Sequence, residues 1–415
     1  MKGKTIRNAI NEADSRRRFL RLLAASPVLA ASGFSYASRD TVEQLAQGEE
    51  LITAPEQAVN VLEFEAVARK NLPPAHFGYL ATGVDDDGTI QANREGFSKY
   101  QLRVRRLRDI AKIDMSVKLF GTTWDSPIIL APVGSQKAFH PAGEIATAKA
   151  ARAKGHLQLL STVTSSPIEA VNEVRGTPVW YQLYPTDDWN ITRGLTKRAE
   201  AAGCPVLVLT VDSQGGSKRE TLLKSRRVDT RQCSDCHTGG FTFNAMALRR
   251  PMFKGLDLSQ ATALYPLDMN WDIVKRLKDT TKMKLVIKGL VTREDAQLAV
   301  EHGADGIIVS NHGGRAEASN RGTIESLPEV IAGVAGKIPV LVDGGFRRGT
   351  DIFKALALGA NAICVGRPYL WGLAAFGQPG VEAVLEILRL ELQMVMRQAG
   401  TTSVEKITRE YLVER

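Results

Sequence analysis

Cysteine is scarce in this chain, four residues in 415, which excludes a scaffold stapled by disulfides and leaves the fold to a buried apolar core. Cys204 and Cys364 lie beside or inside apolar strands and read as inert core thiols. No Gly-x-Gly-x-x-Gly follows the first apolar strand, so the nicotinamide fingerprint of a doubly wound sheet is missing. No internal repeat, low-complexity tract or second domain is evident. Nor does the charge call for nucleic acid. The chain carries +9, but residues 1–37 hold seven Lys/Arg against two Asp/Glu, so +5 belongs to them and +4 to the remainder.

The N-terminal charge has a pattern. Ser15-Arg16-Arg17-Arg18-Phe19-Leu20-Arg21 precedes the apolar stretch Leu22 to Ala30, with a small-residue exit near Ala37. Basic head, modest apolar core and small residues are the form of a twin-arginine signal over 1–37, which predicts a folded protein exported to the periplasm. The apolar stretch is too short to span a bilayer permanently. A basic amphipathic surface helix is the alternative. Residues 38–60 are expected as a linker, and 61–415 as one domain with an insertion at about 220–270. Inside that insertion, Cys233-Ser234-Asp235-Cys236-His237 has the spacing of a covalent c-type haem site. A disulfide, another metal site and free thiols compete with that reading, because no cytochrome-like segment surrounds the run.

Apolar runs of strand length recur at Ile128–Pro132, Leu157–Ser161, Val179–Leu183, Val206–Thr210, Leu285–Lys288, Gly306–Ser310, Val340–Asp343 and Ala362–Val365. Segments with helical spacing alternate with them, among them 143–154, 191–202, 292–302, 326–335 and 350–358. Strands apolar almost throughout, alternating with helices, indicate a parallel sheet buried on both faces. Eight such units indicate a single-domain α/β fold, the (β/α)8 TIM barrel.

In such a barrel, polar residues at the C-terminal ends of strands face one site. Here those ends carry Ser161, Gln182 and Tyr184, Thr210 and Asp212, Lys288, His312 and Arg315, Asp343-Gly344-Gly345, and Gly366-Arg367. The last two groups match the fold's usual phosphate site: Gly344, Gly345 and Gly366 would bring backbone N–H groups close to an anion, and Arg347 or Arg367 would balance its charge. The densest run is Ser310-Asn311-His312-Gly313-Gly314-Arg315. It sets a group that titrates near neutrality three residues from a guanidinium able to grip a carboxylate with two teeth, a pairing suited to a 2-hydroxy acid.

These motifs, with Leu72-Pro73, Ala131 to Lys137, Gln182-Leu183-Tyr184, Leu209 to Asp212, Lys288-Gly289, Asp343 to Gly359 and Gly366-Arg367-Pro368, resemble the FMN-dependent 2-hydroxy-acid dehydrogenases and oxidases from about Val61 to the C-terminus. The resemblance implies FMN as cofactor. It implies His312 as the base, Asp212 as the carboxylate that orients it, Arg315 and Arg219 with Tyr79 as the grip on the substrate carboxylate, and Tyr184 on the substrate oxygen. Lys288 would stand beside the flavin pyrimidine. Ser161, Gln182 and Thr210 would hydrogen-bond the ring edge, Ser310 would join the cofactor-binding set, and the main chain of Val133 and Gly134 would pack near the reactive nitrogen of the ring.

Departures from the family pattern bear on substrate and acceptor. Gly134 stands where alanine is common, which favours a dehydrogenase passing electrons to a quinone or cytochrome over an oxidase making hydrogen peroxide. Val163 replaces a large aromatic, Leu80 a frequent second tyrosine and Gly216 a bulky residue, so a lactate-like or larger acid is expected. Retention of every role above argues against a non-catalytic flavin-binding or hydroxy-acid-binding protein. The resemblance also implies a homo-oligomer, commonly a tetramer.

Overall fold

The protein is described here from a computed structural model covering residues 51–231 and 243–415. The expected signal at 1–37, the first part of the linker, and the Cys233, Cys236 and His237 run lie outside the described residues.

The eight apolar runs form β1 (Ile128–Leu130), β2 (Leu157–Ser161), β3 (Trp180–Leu183), β4 (Val206–Thr210), β5 (Lys284–Leu290), β6 (Gly306–Val309), β7 (Val340–Asp343) and β8 (Ala362–Val365). They close into a parallel barrel in chain order, with β8 pairing β1 through Ile363 opposite Ile128. The five helical segments read from the sequence are present. Three more complete the shell: Ile168–Arg175, Asp272–Thr280 and Arg367–Ala399, the last being two helices that meet at Phe376 and Gly377.

Strand alternation sorts the side chains into two cores. Ile129, Leu157, Leu159, Trp180, Val206, Val208, Val286, Ile308, Leu341 and Cys364 fill the barrel, while their neighbours pack outward on the helices. Leu119 and Phe120, from the hairpin joining Val117–Leu119 to Thr122–Trp124, join the inner cluster, with Phe120 against Trp180 at 5.3 Å. Continued two residues further, the same inward alternation reaches Ser161, Gln182, Thr210, Lys288, Ser310 and Asp343, so a polar layer sits on an apolar one.

Residues 52–60 are not linker. They belong to the barrel unit, where Ile52 and Ala58 pack against its core, because two apolar side chains find a surface to cover there. The insertion between β4 and Asp272–Thr280 contributes helix Glu220–Val228 and the shorter Phe243–Ala247. Among the described residues no helix is long and apolar enough to cross a membrane.

Candidate active site

The loop after β6 is held from beneath. Asn311 and Asn93 exchange amide bonds at 2.9 and 3.0 Å, and Gly314 N donates to Asn311 Oδ1 at 2.9 Å. His312 stands above this anchor at φ 57°, a left-handed conformation disfavoured for a residue with a Cβ, followed by Gly313 and Gly314 at 66° and 83°. That turn aims the imidazole at β4. His312 Nδ1 lies 2.6 Å from Asp212 Oδ1, and Nε2 lies 3.2 Å from the Tyr184 hydroxyl. With Nδ1–H donating to the carboxylate, Nε2 carries the lone pair and accepts from Tyr184.

Asp212 serves three partners, for Ser213 Oγ donates to the same Oδ1 at 3.1 Å. Its other oxygen lies 3.5 Å from Lys288 Nζ, which also lies 3.5 Å from Asp343 and donates to Ser310 Oγ at 2.8 Å. A bulge in β5 after Lys288 makes room. Gly289 has φ 115°, and a Cβ there would sit 2.7 Å from Asp212 Cβ, so only glycine lets the two strands carry this pair side by side.

Charge states follow from these contacts. Burial alone would raise the Asp212 pKa, but the neighbouring His312 and Lys288 charges hold it well below the usual carboxylate range. For Lys288, burial opposes the charge while Asp212 and Asp343 more than offset it, so its pKa is raised. Burial pushes His312 below its ordinary 6.5, against the pull of Asp212 and aided by Lys288 and Arg315, and leaves a neutral imidazole at neutral pH. Burial likewise raises Tyr184, which stays a donor.

A cavity of about 170 Å³ opens over this cluster. Tyr79, Val133, Gly134, Tyr184, Arg219, Lys288, His312 and Arg315 line it together with Asp343, Gly344, Gly345, Arg347, Gly366 and Arg367. Asp212 lines an adjoining chamber instead. Arg219 Nε donates to Ser217 Oγ at 3.0 Å. Arg315 lies over the Tyr79 ring at 5.0 Å; its Nε and Nη2 donate to the carbonyls of Thr82 and of Tyr79 and Leu80 at 3.2, 2.5 and 3.1 Å.

Several expected roles differ in detail. Arg367 is a brace: its three nitrogens donate to the carbonyls of Leu80, Gly313 and Thr82 at 2.7 to 3.0 Å, because the C-terminal end of helix Pro74–Ala81 and the loop after β6 meet there. Gly345 is demanded by packing, since a Cβ would lie 2.0 Å from the Asn93 carbonyl. Ser310 Oγ holds Lys288 and the His312 N–H rather than facing the cavity. Ser161 Oγ accepts from Val163 N at 3.3 Å, the ordinary satisfaction of a strand end. Leu80 is fully buried in the outer core and does not shape the cavity, whereas Val163 lines it. Tyr265, which the sequence pattern does not single out, packs edge-on to Tyr184 at 4.8 Å with a strained φ of 91°. Its local signal is faint: Leu264-Tyr265-Pro266 lies in an insertion that carries other apolar residues, Met252, Phe253 and Leu256 among them.

The site fits a flat, polar-edged group with an anionic tail. Gln182 Nε2 and Oε1, Thr210 Oγ1 and Asp343 Oδ1 are buried without a partner at the strand ends, a standing cost unless something bonds them. A Cβ on Gly366 would meet nothing closer than Ala131 at 3.9 Å, so the backbone there is open to close approach. Among the described residues Arg315, Arg347 and Arg367 form no ion pair. Burial lowers all three, Arg315 and Arg347 to about 10, and Arg367 is lowered further by the charges of the other two. Clustered cations of this kind suit a phosphate and a carboxylate. The residues present therefore fit FMN.

A family profile described as FMN-dependent dehydrogenase matches residues 68–414. Glycolate oxidase 3 of Oryza sativa subsp. indica is 41% identical over 361 residues, covering 86% of this chain and 97% of its own. Among solved structures, a lactate oxidase of Pediococcus acidilactici superimposes with TM-score 0.78 at 34% identity, covering 86% of this chain and 95% of its own. A soluble mutant of the membrane-associated (S)-mandelate dehydrogenase of Pseudomonas putida does so with TM-score 0.78 at 32% identity, covering 86% and 99%.

Proposed function

This chain belongs to the FMN-dependent dehydrogenase family, and from that premise we propose that it oxidises a lactate-like or larger 2-hydroxy acid to the 2-oxo acid and passes the electrons to a quinone or a cytochrome. The observation that carries the reading is one cavity in which His312 Nε2, backed by Asp212, faces the same space as Tyr184, Arg219 and Arg315. Relatives named for glycolate, lactate and mandelate support the reaction class.

FMN, when bound, supplies the two-electron acceptor. Gln182, Thr210, Lys288 and Asp343 would hold its ring, and Arg347 with the Gly344, Gly345 and Gly366 backbone its phosphate. The chain's own part is positioning and proton transfer. Arg315 and Arg219 hold the substrate carboxylate, which fixes the hydroxyl-bearing carbon within the cavity. Tyr184 donates a hydrogen bond to the substrate oxygen. His312 Nε2 takes the substrate proton, and Asp212 stabilises the imidazolium that forms. Lys288, a fixed cation in the polar layer, favours negative charge accumulating beside it.

Gly134 supports a dehydrogenase, and Val163, which lines the cavity in place of a large aromatic, supports an acid larger than glycolate. Similarity to rice glycolate oxidase favours the competing reading, an oxidase that reduces oxygen to hydrogen peroxide. The twin arginines at Arg16 and Arg17 support action in the periplasm, and the family resemblance supports a homo-oligomer.

Anaerobic mixing with L-lactate, mandelate and glycolate tests the reaction: bleaching of the flavin band by at least one is expected, and bleaching by none of a broad panel of 2-hydroxy acids overturns it. Readmitting air or a quinone analogue then separates the acceptors. Fast reoxidation by the quinone and slow reoxidation by air is expected; the reverse makes the protein an oxidase.

A further inference from the structure

Helix Gly88–Glu95 supplies none of the groups assigned to the reaction, yet it touches both loops on which the reaction depends. Its two buried residues, Thr89 and Asn93, lie one turn apart on one face. Thr89 Oγ1 donates to the Glu317 carbonyl at 3.0 Å and accepts from Asn320 N at 3.1 Å, which ties down the segment following Arg315. Asn93 Nδ2 donates to Asn311 Oδ1, the atom that also accepts from Gly314 N and so closes the turn carrying His312. The helix backbone presses on that turn as well, since a Cβ on Gly314 would lie 2.8 Å from Ile90 N.

The loop after β7 rests on the same helix. Asn93 Oδ1 accepts from Thr323 N at 3.0 Å, and Thr323 Oγ1 donates to the Asp343 carbonyl. A Cβ on Gly344 would meet Thr323 Oγ1 at 2.5 Å and Asn93 Oδ1 at 3.0 Å, so this loop is laid directly on the Asn93 amide. Arg94, the next residue, donates to the Gly345 carbonyl and, at 2.9 Å, to Asp351 Oδ2. That oxygen accepts in turn from Arg347 N and Arg348 N at 2.9 and 3.0 Å.

We infer that Asn93 is a positioning residue for the reaction: its side chain is the one post on which the His312 turn and the loop assigned to the FMN phosphate are both set. The inference rests on the proposed role of His312 as base and adds what holds it in place. His312 keeps a left-handed backbone, φ 57°, and such a conformation persists only where its surroundings over-determine it. An amide is needed at position 93, because it must donate to Asn311 Oδ1 and accept from Thr323 N and Asn311 Nδ2. Aspartate keeps only the acceptors, and serine is too short to span the contacts. The substrate grip has its own support, for Arg315 is held by the Tyr79, Leu80 and Thr82 carbonyls.

The test measures the rate of flavin reduction per bound FMN at saturating 2-hydroxy acid. Asn93→Asp and Asn93→Ser are expected to lower it by about 10- to 100-fold, the usual cost of a small misplacement of a reacting group, while affinity for pyruvate changes far less than the rate. FMN binding weakens in both variants. Asn311→Ala gives a similar loss of rate, and Asn93→Ser combined with Asn311→Ala is no worse than the poorer single variant, because both act through one contact. Proton NMR of the FMN-loaded protein gives a readout independent of turnover: the His312 Nδ1 proton, shared with Asp212 across 2.6 Å, resonates far downfield and shifts or broadens in Asn93→Asp. Where Asn93→Ser does not fold, Asn93→Asp and Asn311→Ala report on the same contact. Wild-type reduction per bound flavin in the Asn93 variants, losses that multiply in the double variant, or an unmoved His312 resonance overturns the inference. If no 2-hydroxy acid bleaches the wild-type flavin, the reaction assignment falls, and the resonance still decides whether Asn93 sets the imidazole.

Discussion

His312 Nδ1 and Asp212 Oδ1 lie 2.6 Å apart although one hundred residues separate them in the chain. The contact fixes which ring nitrogen carries the proton, and every chemical expectation for this site passes through it. Lys288, on the far oxygen of Asp212 at 3.5 Å, keeps the carboxylate ionised.

Replacing His312 with Gln removes the proton acceptor and little else. FMN binding should persist while flavin reduction by substrate falls by roughly 10² to 10⁴. Stopped-flow reduction beside the flavin-to-protein absorbance ratio measures both, and near-wild-type reduction would contradict the base assignment.

The pH profile follows from His312. Its pKa lies below 6.5, the imidazole is the base only when neutral, and it is neutral above its pKa. Accordingly kcat/KM should rise with pH through a value under 6.5 and be flat across neutrality. Asp212 pulls that pKa upward, so Asp212→Asn should move the acid limb to still lower pH while reducing the plateau rate. An acid limb moving upward in that variant would be inconsistent with the arrangement.

Arg315→Lys keeps the charge but loses the fork that spans the Thr82, Tyr79 and Leu80 carbonyls. KM should rise more than kcat falls, and the carbonyls left without a donor should cost about 1–3 kcal/mol of stability. Steady-state kinetics with a denaturant melt check this; an unchanged KM would remove Arg315 from the substrate grip.

Lys288→Met leaves Asp212 and Asp343 buried without their shared cation. Breaking a buried pair in this way is worth about 3–5 kcal/mol. With the lysine gone, the Asp212 pKa rises toward the ordinary range. The Asp212 stabilisation is present above the unfolded-state carboxylate pKa and lost as pH falls through the folded one, so the stability gap between wild type and variant should narrow on acidification. Melting temperatures measured across acid pH test it, and a gap that widens counts against the charge assignment.

Gly134→Ala would place a Cβ 2.4 Å from Val163 Cγ2 and 2.9 Å from its carbonyl oxygen. Overpacking of this kind costs about 1–3 kcal/mol. Val163→Ala added to it should recover part of the lost melting temperature by removing the methyl contact. A fully stable single variant would show that the two loops move apart freely.

The eight strands were readable because a strand covered on both faces is apolar along its whole length, and the polar residues that interrupt it at the C-terminal end stand out. His312, Arg315, Lys288 and Asp343 were legible for that reason. Helix Arg367–Ala399 was harder, since Gly377 and Pro379 break its period near the middle.

By itself, the order of apolar and polar residues along the chain determined the barrel and the level at which its chemistry sits, because inward alternation with a period of two is a local property of backbone geometry. Which of those polar groups meet, and what each one touches, only the tertiary structure decided. The Asp212–His312 contact, the turning of Arg367 into a brace, the pressing of Val163 against Gly134 and the placing of Tyr265 over Tyr184 all join residues far apart in sequence. Distances of that kind depend on barrel closure and loop packing, which no short stretch of chain encodes.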